Sequence, residues 1–142
     1  MKASIELIEE KFNEYNKMYF NNELFKPTFR LKRSFGTLGL FVCTRKSLQK
    51  GRRLWGTAIE ISCYYDWTDE MLRDIIVHEM IHFYLAKKHI DDTLSHGEAF
   101  LAMANRLNRE YGLSIAVSYH GHRMKRAQGA PRIGWFLHKW IA

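Results

Sequence analysis

An α+β domain is the fold class that this sequence predicts. A helix-periodic opening, three stretches of strand character in the middle and two helix-periodic stretches downstream predict it. Helices and strands occupy separate blocks, which points to one domain with a small three-stranded antiparallel sheet packed against helices.

Ile5, Ile8, Phe12, Tyr15 and Tyr19 recur at steps of three and four. Ser4 to Tyr19 is therefore expected to be a helix with one buried face. Glu6, Glu9 and Glu10 crowd its start, where the helix dipole favours negative charge. After Pro27, Phe29–Arg33 alternates with period two and reads as a strand. Leu38–Thr44 reads as a second strand and Trp55–Ser62 as a third. The connection Arg45–Arg53 is polar, basic and contains Gly51, as a hairpin loop would. A long helix is expected over about 69–88. Thr68 is its N-cap, and Asp69 and Glu70 stand in its first turn. Leu72, Ile76, Met80, Tyr84 and Leu85 form its apolar stripe. A last helix carries Phe100, Leu101, Ala104 and Leu107 and stops near Tyr111, with Gly112 as its C-terminal signal.

The long helix carries the chemistry. Residues 78–82 read His78-Glu79-Met80-Ile81-His82, an H-E-x-x-H pattern. Positions four apart lie one above the other on a helix, so both imidazoles can reach one metal ion. Glu79 can then serve as general base toward water. These are the elements of zinc-assisted hydrolysis of a peptide bond.

A catalytic zinc usually takes three protein ligands and keeps one position open. His96 is the best candidate for the third. Ser95 and Glu98 form an S-x-x-E capping box, which would put His96 in the first turn of the last helix. Glu98 is the rival, because carboxylates complete other zinc hydrolase sites. His89 falls just past the long helix and reads as a surface residue. His120 and His122 have no cysteine partners nearby and read as surface or packed residues.

An ordered set of motifs accompanies these residues. Tyr15-Asn16 leads to Tyr19-Phe20-Asn21-Asn22-Glu23-Leu24 and Pro27, then Leu38-Gly39, then Ile59-Glu60-Ile61-Ser62 before H-E-x-x-H, and finally His96-Gly97-Glu98-Ala99-Phe100. In this order the chain resembles the SprT-like domain, the zincin-type metalloprotease domain also found in Spartan. The resemblance covers about residues 5–111. It implies a zincin-like fold, His78, His82 and His96 as zinc ligands and Glu79 as the catalytic base. It also implies action on DNA-associated or DNA-crosslinked proteins, since Spartan-type members cleave proteins attached to DNA. The chain departs from the pattern in one respect. Many bacterial relatives append a four-cysteine zinc module, whereas Cys43 and Cys63 both precede the long helix here. A second zinc site of that type is excluded within this sequence.

Composition bounds the remaining possibilities. With 142 residues, 46% hydrophobic and 14% aromatic, the chain is expected to be one globular domain over 1–142. Its core is expected over about 5–111, and 112–142 forms a basic aromatic extension that packs on or near it. The start lacks the apolar run of a signal peptide, and nothing reaches the length of a membrane span. Two cysteines without framework spacing suit a reducing cytosol. The expectation is a cytoplasmic monomer away from membranes, nucleoid-associated if bacterial.

Net charge is +7 and unevenly placed. No acid lies between Pro27 and Ile59 or after Tyr111. Arg45, Lys46, Arg52 and Arg53 in the first window, and Arg123, Lys125 and Arg126 in the tail, are the candidate nucleic-acid contacts. DNA, single-stranded or junction-containing, is the expected partner beside a protein substrate. Trp55, Trp135 and Trp140 stand near basic residues and are candidates for stacking on bases. Tyr64, Tyr65, Tyr111 and residues of the tail are candidates for stabilising an oxyanion. The competing reading is a nucleic-acid-binding domain with a structural zinc. It would need a fourth protein ligand such as His89 or Glu98. An exposed strand edge beside the zinc would grip a substrate backbone, but periodicity does not say which edge.

Overall fold

The computed structural model describes residues 1–43, 56–90, 94–120, 125–126 and 138–140. The described residues form an α+β domain with three helices, namely α1 (Ile5–Tyr19), α2 (Asp69–Lys87) and α3 (Glu98–Tyr111). The strands are β1 (Thr28–Lys32), β2 (Gly39–Val42), β3 (Ala58–Ser62), β4 (Tyr65–Asp66), β5 (Ser118–His120), β6 (Lys125–Arg126) and β7 (His138–Trp140).

Caps set the helix limits. The Ser4 hydroxyl accepts from the Leu7 amide at 3.1 Å, and the Thr68 hydroxyl from the Met71 amide at 3.2 Å. Each satisfies one of the donors that a helix start leaves orphaned. Gly112 ends α3 at φ 70°, a left-handed turn in which a side chain would be strained.

The main sheet has the order β1-β3-β2. β2 runs antiparallel to β3, with Gly39 opposite Ile61. β1 runs parallel to β3, with Phe29 opposite Ile59. The sheet is thus mixed, which corrects the antiparallel expectation. β3 is inserted between two strands that precede it, and alternation in sequence carries no information on strand direction. The expected hairpin loop Arg45–Arg53 lies outside the described residues. In the tail, β6 pairs with β4 and β5 pairs with β7, both antiparallel.

The inner face of the sheet carries Ile59 and Ile61, both fully buried. Against it lies α2, whose Ile75, Ile76, Val77, Met80, Ile81 and Phe83 are fully buried. This helix is buried on most of its sides because β2, α1 and α3 pack against it, and its buried residues include Asp74, His78 and Glu79. Phe83 anchors that packing, meeting Phe41 at 5.1 Å and Phe25 at 5.0 Å between ring centres. No helix among the described residues is long and apolar enough to cross a membrane.

Candidate metal centre

The site grows from the middle of α2. His78 is fully buried and His82, one turn later, is half-buried. The third imidazole, His96, arrives from the connection to α3. It sits two residues before that helix and not in its first turn. The expected Ser95–Glu98 capping box is not formed: Gly97 is the N-cap and no side chain caps it. The Ser95 hydroxyl lies 3.3 Å from His96 Nδ1 instead. A nearby ring competes for the hydroxyl, and the helix begins at Glu98.

The three rings converge through the same atom. His96 Nε2 lies 3.0 Å from His78 Nε2 and 3.3 Å from His82 Nε2. Among the described residues these three form a ligand-competent cluster. Neither His89 nor Glu98 joins it, and both are exposed. A tetrahedral zinc with nitrogens at about 2.0–2.1 Å has ligand–ligand edges of roughly 3.3–3.4 Å, close to the spacing found. Neutral nitrogen lone pairs brought this close repel one another unless a cation or a proton lies between them. The donor set and its spacing therefore fit a divalent ion.

The tautomer is fixed as well. His78 Nδ1 is 2.9 Å from the Ala116 carbonyl oxygen. A carbonyl only accepts, so Nδ1 holds the proton and Nε2 presents its lone pair to the centre. Beneath the rings lies Phe100, 4.7 Å from His78, 4.7 Å from His82 and 4.9 Å from His96 between ring centres. This aromatic floor leaves the imidazoles little freedom to rotate.

Glu79 is fully buried, with an oxygen 3.9 Å from His78 Nε2. Both of its carboxyl oxygens lack a hydrogen-bond partner. Burial pushes the carboxyl well above the usual range, and the Phe41 backbone amide offsets this slightly without reaching hydrogen-bond geometry. Buried, unpaired carboxyls cost stability and are seldom kept without a use. The strand beside it is shaped to receive it. A Cβ on Gly39 would stand 2.8 Å from Ile75 Cγ2 and 3.1 Å from Glu79 Oε2, so only glycine lets β2 come this close.

Several predicted residues lie elsewhere. Arg45, Lys46, Arg52, Arg53, Arg123, Trp55 and Trp135 are outside the described residues. Lys125 and Arg126 form β6, paired with Tyr65 and Asp66. The Tyr65 hydroxyl donates to the Phe35 carbonyl at 2.9 Å, and Tyr111 packs edge-on against Tyr19 at 4.9 Å. Two contributors escaped the sequence reading. Gly39 could have been flagged as a glycine inside a strand, a sign of close backbone approach. The Ala116 carbonyl has no side-chain signature at all.

The family model described as SprT-like family matches residues 8–120. No curated protein matches the chain.

Proposed function

The chain belongs to the SprT-like family, and from that premise we propose that it is a zinc-dependent endopeptidase, with His78, His82 and His96 as ligands and Glu79 as general base. One observation carries this reading: three Nε2 atoms converge beside a buried, unpaired carboxyl 3.9 Å from one of them. When bound, the ion supplies Lewis acidity to the scissile carbonyl and to water.

The protein's own residues supply the rest. Glu79 accepts a proton from the water that attacks the carbonyl carbon. It delivers that proton to the amide nitrogen as the C–N bond breaks, giving an acid and an amine. A structural zinc would need a fourth protein ligand. Among the described residues none joins the three histidines, which favours the catalytic reading over a purely structural ion.

The substrate is an extended protein segment laid along β2. The Ser62 amide donates to the Leu38 carbonyl, which makes Leu38 and, two residues on, Leu40 the residues bonded to β3. The backbone groups of Gly39 and Phe41 then point away from β3, on the edge beside Glu79. Strand addition at this edge grips main chain and ignores side chains. So permissive a cleft requires localisation, and the acid-free basic segments suit proteins held on DNA.

An unstructured protein incubated with the zinc-loaded enzyme tests the reading, with and without single-stranded DNA. Cleavage should rise when DNA is present. Glu79→Gln should retain zinc and lose at least about 100-fold in rate. Cleavage by that variant at the wild-type rate would remove Glu79 from the chemistry. An identical rate with and without DNA would remove the DNA partner.

A further inference from the structure

The atom that orients His78 is a backbone carbonyl on a segment with no regular structure. Residues 113–116 follow the left-handed Gly112 and belong to neither helix nor strand. Irregular backbone is a poor reference point for a metal ligand unless something holds it.

Two side chains hold it, each from a different helix. Asn108, in the last turn of α3, donates from Nδ2 to the Ile115 carbonyl at 3.1 Å and accepts at Oδ1 from the Ile115 amide at 2.8 Å. Its side-chain amide therefore pairs with both polar groups of one residue, as a neighbouring strand would. Its own backbone carbonyl accepts from the Gly112 amide at 3.0 Å, so the same residue closes the helix and clamps the chain that leaves it. Asp74 Oδ1 accepts from the Ser114 amide at 3.4 Å. Asp74 lies one helical turn before His78 on α2, so the helix that bears the ligand also grips the segment that orients it. Leu113 and Ile115 point into the core, at 5% and 6% exposure. The segment is thus fixed immediately before Ala116, whose carbonyl meets His78 Nδ1 at 2.9 Å.

We propose that Asn108 is a positioning residue for the metal centre: its two hydrogen bonds to Ile115 hold the Ala116 carbonyl against His78 Nδ1, which fixes the ring in the tautomer that presents Nε2. The side-chain hydrogen bonds of Asn108 both go to the Ile115 backbone, so it acts on His78 through the chain that leads to Ala116. The inference rests on the three histidines being a metal site, and it does not depend on that site being a protease.

Two readouts test it without measuring cleavage. In metal-free protein, nitrogen NMR of the histidine rings reports which nitrogen of His78 is protonated. In zinc-titrated protein, competition with a chelator reports affinity. For Asn108→Ala the first should change from a single Nδ1–H form to a mixture. The second should fall by about 10- to 100-fold, the usual effect of losing an outer-sphere partner. Asn108→Asp keeps the acceptor for the Ile115 amide and loses the donor. It should fall between wild type and Asn108→Ala in both readouts, and it covers the case in which the alanine variant does not fold. Wild-type affinity and a single Nδ1–H tautomer in both variants would overturn the proposal. A wild-type protein that binds no zinc would sink the metal reading, while the tautomer measurement would still decide the role of Asn108.

Discussion

The candidate metal centre has a sealed wall and an open rim, and the two are built differently. His78 and Glu79 form the wall, both fully buried between β2, the floor of Phe100 and residues 113–116. His82 and His96 form the rim, both half-buried, with exposed Ser95 next to His96 in the connection. The wall is fixed by core packing, in which every neighbour constrains every other. At the rim, His96 meets the rings of His78, His82 and Phe100 and lies beside the Ser95 hydroxyl, outside any helix or strand. A hydrolytic metal site needs both, because ligands must stay in place while a substrate enters.

Removing one ligand from each side should separate the two. His78→Ala and His96→Ala each delete one of three donors, so both should lose tight zinc binding. In metal-stripped protein their costs should diverge. His78→Ala leaves a cavity in the core and should lose about 2–5 kcal/mol, in the range of large buried truncations. His96→Ala should lose less than about 1 kcal/mol, as surface changes do. Denaturant unfolding after chelation measures the difference. Equal losses would mean that wall and rim are one rigid unit.

The wall is next probed where it is tightest. Gly39→Ala would bring a methyl to 2.8 Å from Ile75 Cγ2 and 3.2 Å from Glu79 Cγ. Neither neighbour can swing away, since Ile75 is fully buried in the core and Glu79 is fully buried against His78. The expected cost is about 1–3 kcal/mol of stability, the usual penalty of overpacking. Cleavage should fall further than the folded fraction does, because the displaced side chain is the proposed base. A variant as stable and active as wild type would show that β2 yields and that the wall is softer than its packing implies.

Legibility in the sequence divides along the same line. The helices were readable because their signals are local: Ser4 and Thr68 cap where their chemistry says, and Gly112 stops α3. His78 and His82 were readable because helical spacing dictates their shared face, and the structure brings His96 to join them. The tertiary relations were not readable. The direction of β1 depends on β3 entering between two earlier strands, and no period records that. Ser95 and Glu98 matched a local capping rule, but the His96 ring offered the hydroxyl another partner. The Ala116 carbonyl was invisible because every residue has one, and only the fold decides which meets His78.

The smallest expected effect lies on the wall, one turn before His78, and it carries a sign. Asp74 is buried at 3% exposure, and burial raises its carboxyl pKa, partly offset by the Arg73 guanidinium at 3.1 Å and the Ser114 amide. A carboxyl raised in the folded state is worse off charged there than in the unfolded chain. The penalty is absent below the ordinary aspartate value of 3.8 and fully present above the folded-state value, so stability is lost as pH rises through the latter. Asp74→Asn keeps an acceptor for the Ser114 amide and removes the charge. It should be more stable than wild type at neutral pH by up to about 1 kcal/mol. That advantage should vanish as pH falls below 3.8. Urea unfolding at pH 7 and in acid reads both ends. A variant less stable at neutral pH would show that the Arg73 pair outweighs burial. The carboxylate would then be a stabilising part of the wall, held there by its charge and not in spite of it.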